Sequence, residues 1–420
     1  MTVLTELAPR GAPGAYPIPP GRARWRFTAH RRQFAAASWQ STLIAELPHA
    51  RQRSVTLAYL TPAVVSFVLD GHDPQAALLT ELATDVICWR WDDTAGYDVA
   101  VARVLIDHSQ DVIDESSHTV TFTGHDYAAL LQRRFFAARY GPTTQLDQDS
   151  YVQAFLNLAQ PAAFSPGCYL PLVVVHANPD GTIRQNLSGQ LRDRDYPASY
   201  SCYTALDDLA KVINGFDYDV QPGAWIGATA DSLRVFYPGQ GVARSDIQLM
   251  YGANVAQLQR SVDSSTYTNY WRAIGNNGSS DPNVAQLYGE AWNSDANNVT
   301  VNPVGLWQNT DNAADVNIAA TLTQKAQGDL DTTGVLIPVY TATLRPGAYT
   351  WAKPNIGDTV PFYAKVGRLN VNTTIRVLGL AFAITDDGAE DVTLTLGASP
   401  LTLADLYTQA DRDVDALTRR

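Results

Sequence analysis

The sequence has only three cysteines, Cys88, Cys168 and Cys202, and no long apolar run. Each cysteine lies among apolar or aromatic residues and far from the other two, so we expect buried, reduced thiols rather than disulfides or a metal site. No stretch approaches the roughly 20 apolar residues that a membrane-spanning helix needs. The N-terminus, MTVLTELAPRGAPGAYPIPPG, lacks the pattern of a secretory signal peptide. We therefore expect a soluble protein with no membrane segment.

Positive charge is scarce as well. The 420 residues carry a formal net charge of −12, and 45% of them are hydrophobic while 17% are charged. This composition predicts a globular chain of about two to four domains. A protein that grips nucleic acid neutralises phosphates with an excess of Lys and Arg, so the charge argues against that function. It is compatible with a channel through which DNA slides without binding.

Catalytic motifs are also missing. The sequence has no HExxH, GxSxG or Gly-rich phosphate loop, and its six glutamates form no obvious acid–base pair. Asp411, Asp413 and Asp415 match the first three ligand positions of a calcium loop, but Ala416 stands where that loop needs glycine. We therefore expect no catalytic residue, no cofactor and no metal.

The sequence does contain a repeat. Residues 102–126 read ARVLIDHSQDVIDESSHTVTFTGHD, and residues 375–397 read IRVLGLAFAITDDGAEDVTLTLG. Both copies begin with Arg-Val-Leu and end with a Val-Thr-x-Thr segment, and in both the arginine and the closing glycine stand 21 positions apart. Alternating apolar residues on either side of a polar turn predict a β-hairpin in each copy.

The hydrophobic pattern divides the chain into successive segments. Residues 1–20, rich in Pro, Gly and Ala, predict an extended arm. Strand-like alternation predicts a first β-barrel over residues 21–124 and a second over residues 223–398. Between them, residues 125–222 mix helical and strand periods and predict an inserted α+β domain. The fold class is therefore mainly β with an α+β insert.

The second barrel is predicted to carry two additions. Polar residues at about 275–312 predict a long surface loop, and the pattern at about 313–330 predicts a helix. After the barrel, residues 399–420 predict a C-terminal helix, either docked on its own domain or self-associating. Its apolar seam consists of Leu403, Tyr407, Ala410, Val414 and Leu417.

A helix is also predicted directly after the first hairpin, in VTFTGHDYAALLQRR. Asp126 can cap it, and apolar residues recur at intervals of three and four as far as Phe135 before Gly141 ends it. This arrangement resembles the tail hub, or minor tail, proteins of long-tailed bacteriophages, which share a baseplate-hub-like fold at the siphophage tail tip. The matching positions are Val120, Phe122, Gly124, Asp126, Leu130, Leu131 and Arg134.

The second barrel resembles the same family in the order of its motifs. The helix AATLTQKAQGDL, a turn at Gly357 and Asp358, the Arg-Val-Leu strand and a turn from Asp387 to Glu390 follow one another as in the family. The resemblance covers roughly residues 20–398.

The resemblance implies a structural virion protein with two similar β-barrels per chain, not an enzyme. It implies a homotrimeric hub, made in the host cytoplasm and located at the tail tip, that joins the tail tube to the baseplate and forms part of the DNA ejection conduit. Implied partners are the tail tube or distal tail protein, the tape-measure protein and other tail-tip proteins, with genomic DNA passing through unbound. Because the tube is six-fold symmetric and the family's hub is a trimer, two barrels per chain supply six near-equivalent positions.

Two other functions stay open. A tail-associated cell-wall hydrolase uses the same scaffold, and relatives sometimes carry a peptidoglycan-cleaving or peptidase domain beyond the second barrel. Here only residues 399–420 follow that barrel, so we expect no such activity. A carbohydrate-binding module is the other alternative, since Trp89, Trp91 and Trp271 could stack on sugars.

Overall fold

The computed structural model describes residues 25–397, except 36–37, 94–95, 162–168, 212–213, 224–229, 266, 276–284, 294–304, 314–317, 350–352 and 387. The predicted N-terminal arm and C-terminal helix lie outside the described residues, as does Cys168. The chain divides into two compact units. The large unit falls within residues 1–210, 216–259 and 341–396, and the small unit within 211–215, 260–340 and 397–420.

The large unit begins with seven consecutive antiparallel strands. They are β1 (Trp25–Ala35), β2 (Ser38–Glu46), β3 (Arg51–Ala58), β4 (Thr61–Asp70), β5 (Thr84–Asp92), β6 (Tyr97–Ile113) and β7 (His118–His125). Strands β3 to β7 pair in the succession β3-β4-β7-β6-β5. Strand β1 lies beyond β5 and pairs with β5 on one side and with β2 on the other. Alternate residues such as Val65, Phe67 and Phe122 are buried on one face, which gives this sheet its core.

The α+β insert follows β7. Its elements are α1 (Ala128–Leu131), β8 (Tyr140–Asp147), α2 (Gln148–Leu158), β9 (Leu172–Ala177), β10 (Leu191–Tyr196), α3 (Cys202–Ala210), β11 (Asp217–Gln221) and β12 (Asp231–Phe236). They form the sheets β10-β8 and β11-β12-β9. Strand β12 lies beyond residue 222, where the sequence pattern placed the end of the insert.

The prediction of a helix from Asp126 to Gly141 is wrong, because α1 is a single turn that ends at Leu131. Phe136 is completely buried in the core of the insert. Its backbone N–H donates to the carbonyl of Tyr200 at 2.9 Å, and its carbonyl accepts from Ser199 at 2.8 Å. These long-range hydrogen bonds replace the helical ones, so the chain leaves the helix where its side chain can enter the core.

The described residues of the small unit form one sheet covered by one helix. The chain first forms β13 (Leu249–Met250) and β14 (Val255–Ser261), which belong to the large sheet. The elements of the small unit follow, and they are β15 (Tyr270–Gly275), β16 (Tyr288–Trp292), β17 (Gln308–Ala313) and α4 (Ala319–Thr333). The helix packs so closely that a Cβ on Gly289 would lie 2.1 Å from the backbone nitrogen of Thr323. The prediction of a polar loop at about 275–312 is therefore partly wrong, since β16 and most of β17 lie within it.

The last four strands return to the large sheet. They are β18 (Val339–Leu344), β19 (Thr359–Val366), β20 (Leu369–Ile384) and β21 (Glu390–Gly397). Together with β14 they pair in the succession β14-β18-β21-β20-β19. This matches β3-β4-β7-β6-β5 both in pairing and in chain order. The repeat visible in the sequence as one hairpin therefore extends to five strands, which we call the first copy and the second copy.

Both copies belong to one thirteen-stranded sheet. Strand β20 joins them, because its segment Gly379–Ile384 pairs antiparallel with Ala58–Arg53 of β3. The mainly β class with an α+β insert is confirmed. The division into two closed barrels stays a prediction.

Candidate functional site

A buried arginine occupies the start of each repeated hairpin. In the first copy, Arg103 places Nη2 3.1 Å from Oδ2 of Asp85 and Nη1 3.3 Å from Oδ1 of Asp231. Its guanidinium lies over the ring of Tyr127, 5.3 Å from the centroid. The Tyr127 hydroxyl donates to the same Asp85 oxygen at 2.7 Å. Arginine, aspartate and tyrosine thus form a closed triangle, with a second carboxylate on the far side of the guanidinium.

The second copy repeats this triangle. Arg376 places Nη2 2.6 Å from Oδ2 of Asp217 and lies over the ring of Tyr59, 4.6 Å from the centroid. The Tyr59 hydroxyl donates to the other Asp217 oxygen. Arg376 also donates to the carbonyls of Gly357 at 3.1 Å and Gln240 at 2.8 Å. A bidentate-capable, always-charged guanidinium suits a site where several acceptors converge out of water.

The two arginines hold opposite ends of one hairpin in the insert. Asp217 is the first residue of β11 and Asp231 is the first residue of β12, and these strands pair antiparallel. Each arginine therefore fixes one end of the β11–β12 hairpin against one copy of the repeat. The two clusters are not equivalent residue by residue. Tyr127 follows β7 and bonds Asp85 of β5, whereas Tyr59 lies between β3 and β4 of the first copy and bonds Asp217 of the insert.

Burial dominates the electrostatics of the first cluster. It raises the pKa of Asp231 to about 6, although the charge of Arg103 opposes the shift. Burial likewise raises the pKa of the Tyr127 hydroxyl, which the nearby Asp85 raises further. The neighbouring His30 has its pKa lowered to about 3 by burial and by the charges of Arg103 and Arg26, so its ring is neutral. These groups are closed off from solvent.

Gly124 and Asp126 form the exit from the first hairpin. A Cβ on Gly124 would lie 2.6 Å from the carbonyl oxygen of Leu105, so any larger residue would push β6 and β7 apart. The Asp126 carboxylate accepts from the backbone N–H of Ala63 at 2.7 Å and of Ala128 at 2.8 Å. It therefore ties the start of β4 to the start of α1. Burial raises the pKa of Asp126 to about 7, against the effect of these two donors.

The other residues matched in that motif line the insert. Leu131 is buried in its core, and Leu130 packs against the same core from a half-buried position. The carbonyl of Arg134 accepts from the N–H of Cys202 at 3.0 Å, which connects this segment to the start of α3. The motif residues thus position the insert.

Gly357 and Asp358 form the turn beside Arg376. Gly357 has φ of +90°, and a Cβ there would lie 2.3 Å from the carbonyl oxygen of Gln240. The Asp358 carboxylate accepts from the N–H of Val242 at 3.0 Å and of Asn355 at 2.9 Å. The turn therefore holds the chain that leaves the insert against the second copy, next to the cluster of Arg376.

Glu390, the last residue of the predicted Asp-Gly-x-Glu turn, makes a direct connection between the copies. Its carboxylate accepts from Arg90 of β5 at 2.9 and 2.6 Å and from the indole N–H of Trp25 at 2.7 Å. All three side chains are buried. The ion pair joins β21 of the second copy to β5 of the first.

Sequence reasoning found some of these residues and missed others. The structure places Asp126 directly before Tyr127 of the first cluster, and Gly357 against Arg376 of the second. Neither the acidic partners nor Tyr59 carried a local signal, because they lie far from the arginines in sequence. The repeated Arg-Val-Leu was the available signal, since it marks both arginines.

Within residues 25–397, apart from the gaps given above, no group of three His, Cys, Asp or Glu side chains is placed to hold a metal ion. Over that same part, no helix is long and apolar enough to cross a membrane. Cys88 and Cys202 are buried and unpaired with one another.

The comparisons with known proteins agree with this architecture. No protein-family model and no curated protein matches the sequence. A tail protein from Neisseria meningitidis MC58 superposes with a TM-score of 0.54 over 91% of this chain and 99% of that one, at 12% identity. The 43 kDa tail protein of prophage MuSo2 from Shewanella oneidensis gives 0.55 over 90% and 99%, at 11% identity. This chain has the fold of prophage tail proteins. The resemblance predicted from the sequence is confirmed at the level of fold.

Proposed function

We propose that the chain is a structural virion protein that forms a trimeric hub at the phage tail tip. The observation that carries the proposal is the five-strand repeat within one continuous sheet, together with the tail-protein fold. Three chains with two copies each offer six similar five-stranded copies to a six-fold tail tube. The repeated arginines support this role, since each of them pairs with an aspartate at one end of the β11–β12 hairpin.

The hub joins the tail tube or distal tail protein to the other tip proteins. Before ejection it contacts the tape-measure protein, and during infection it forms part of the DNA conduit. The net charge of −12 supports passage without binding, because phosphates are repelled by an acidic wall. The segment from Val104 to Ser117 adds to this argument, since it has four acidic residues and no Lys or Arg.

A structural role is favoured over a cell-wall hydrolase. The cluster of ionisable groups around Arg103 has side chains at most 10% exposed and is held by ion pairs and hydrogen bonds. No substrate reaches such a cluster without unfolding it. Purified protein is expected to leave peptidoglycan intact in a turbidity assay, whereas clearing that disappears on replacing one aspartate would favour the hydrolase.

One surface favours carbohydrate contact as a second candidate function. Trp89 and Trp91 are buried and cannot stack on a sugar. In the small unit, however, Trp292 is 52% and Tyr288 is 47% exposed, and Trp292 stacks with Tyr270 at 6.4 Å between centroids. Aromatic side chains with one free face can bind sugar rings. Titration with host-wall glycans should change tryptophan fluorescence in the wild type and not in Trp292→Ala.

The mass of the assembled protein tests the leading proposal. A chain of 45.7 kDa should give a species of three times that mass in native mass spectrometry. A wild-type chain that stays monomeric at every concentration, with and without tail tubes, would contradict it.

A further inference from the structure

The distal part of β6 is an unpaired strand edge. Residues from His108 to Ile113 pair with β7 on one side, while β5 pairs with β6 only up to Leu105. Among the described residues, no strand pairs with the other side of this segment. An exposed edge presents free N–H and C=O groups and pairs readily with another strand. Val112 and Ile113 on this segment are also exposed, at 49% and 72%.

The direction of the free backbone groups follows from the neighbouring hydrogen bonds. The N–H of Gly71, directly after β4, donates to the carbonyl of His118 at 2.7 Å. The backbone groups of His118 therefore point toward β4, and they exchange no hydrogen bonds with Ile113, the residue opposite on β6. Paired residues in an antiparallel ladder alternate between bonded and non-bonded. The backbone groups of Ile113, Asp111 and Ser109 therefore point to the free edge.

The second copy shows what such an edge accepts. There the equivalent segment of β20, Gly379–Ile384, has β21 on one side and β3 of the first copy on the other. Strand β3 is the first strand of its copy, and the corresponding first strand of the second copy is β14. Strand β14 ends the succession of the large sheet, with β18 as its one partner strand among the described residues.

The geometry points to a β-sheet interface between copies of this chain, in which the distal part of β6 pairs with β14 of the next molecule. The inference rests on the proposed trimer and specifies its contact. Within one chain, β20 of the second copy pairs with β3 of the first copy. Between chains, β6 of a first copy pairs in the same way with β14 of the next second copy, so first and second copies alternate around the ring. Because the two edges differ, the interface is heterologous, and in the proposed trimer its rotation closes into a ring.

Proline variants test each edge separately, because proline removes the backbone donor of an edge strand. Asp111→Pro removes a donor that points to the free edge of β6, and Asp111→Ala is its matched control. Directly before β14, the carbonyl of Asn254 accepts from the N–H of Arg345, directly after β18, at 2.8 Å. By alternation along the strand, the backbone of Gln257 faces away from β18. Gln257→Pro therefore removes a donor from the free edge of β14, with Gln257→Ala as control.

Native mass spectrometry should show that each proline variant loses the wild-type trimer, with association at each interface weakened about tenfold or more, while each alanine control keeps it. In an equimolar mixture of the two proline variants, the β14 edge of Asp111→Pro can still pair with the β6 edge of Gln257→Pro, while the other two edges cannot pair. The mixture should therefore form a dimer of twice 45.7 kDa and no trimer. Circular dichroism of each variant at low concentration should match the wild-type monomer.

The outcomes separate the inference from the proposed function. A wild-type trimer that both proline variants also form would overturn the inference and leave the trimeric hub standing. Assembly of Gln257→Pro alone would also overturn it, by showing that β6 pairs with something other than β14. Amide hydrogen exchange adds a further test, since Ser109, Asp111 and Ile113 should exchange fast in the monomer and slowly in the trimer. Slow exchange in the monomer would mean that the same chain covers the edge.

Discussion

Removal of the Arg376 guanidinium should destabilise the large unit more than any exposed ion pair does. Arg376 and Asp217 are buried, with side chains 2% and 3% exposed. In Arg376→Ala the Asp217 carboxylate loses its cation while its burial is unchanged. Breaking one partner of a buried ion pair costs about 3–5 kcal/mol of unfolding free energy. Two hydrogen bonds from Arg376 to backbone carbonyls are lost at the same time.

Urea unfolding followed by tryptophan fluorescence measures this loss. The double variant Arg376→Ala with Asp217→Asn removes the uncompensated charge, so it should regain at least about 1 kcal/mol over the single variant. Arg139→Ala is the matched control, because the pair Arg139–Asp195 lies on the surface and screening leaves such pairs little effect on stability. The reasoning is refuted if Arg376→Ala shifts the midpoint no more than Arg139→Ala does, or if the double variant is no more stable than the single one.

Three further predictions concern contacts made by the two repeated hairpins. Asp126 has a pKa of about 7 in the folded protein and about 4 when unfolded, so between these pH values the folded state binds one more proton than the unfolded state. The stability of the wild type relative to Asp126→Asn should therefore fall as the pH rises from about 4 to 7. A difference in urea midpoints that does not change with pH would contradict the burial argument. Gly124→Ala places a methyl group 2.6 Å from the Leu105 carbonyl and should cost about 1–3 kcal/mol in the same assay, with Thr123→Ala as a milder control. Glu390→Ala strands the buried Arg90 and should lower the unfolding midpoint strongly, whereas an unchanged midpoint would show that the ion pair does not join the two copies.

The sequence pattern was sufficient to predict elements whose hydrogen bonds join residues that are close in sequence. The two hairpins were predicted from alternation and turn residues, and α4 from the helical pattern at about 313–330. These elements satisfy their hydrogen bonds with near neighbours, so their signals are contiguous. The repeat also predicted that both copies would share a fold, and the matching pairing of five strands in each agrees with it.

Long-range contacts could not be predicted in this way. Arg376 and Asp217 lie 159 positions apart, and nothing near either residue indicates the other. The helix after Asp126 was overpredicted, because the burial of Phe136 outweighs the helical pattern. Strand β17, with the sequence QNTDNA, has a polar composition typical of a loop and forms a strand only through its pairing with β15.

A three-dimensional map of the assembled tail tip tests the central claim most directly, since it gives copy number and position together. The account predicts three copies of this chain around the tail axis, with first and second copies of the repeat alternating at six near-equivalent positions. A single copy away from the axis, or a ring in which only one copy of the repeat faces the tube, would contradict it.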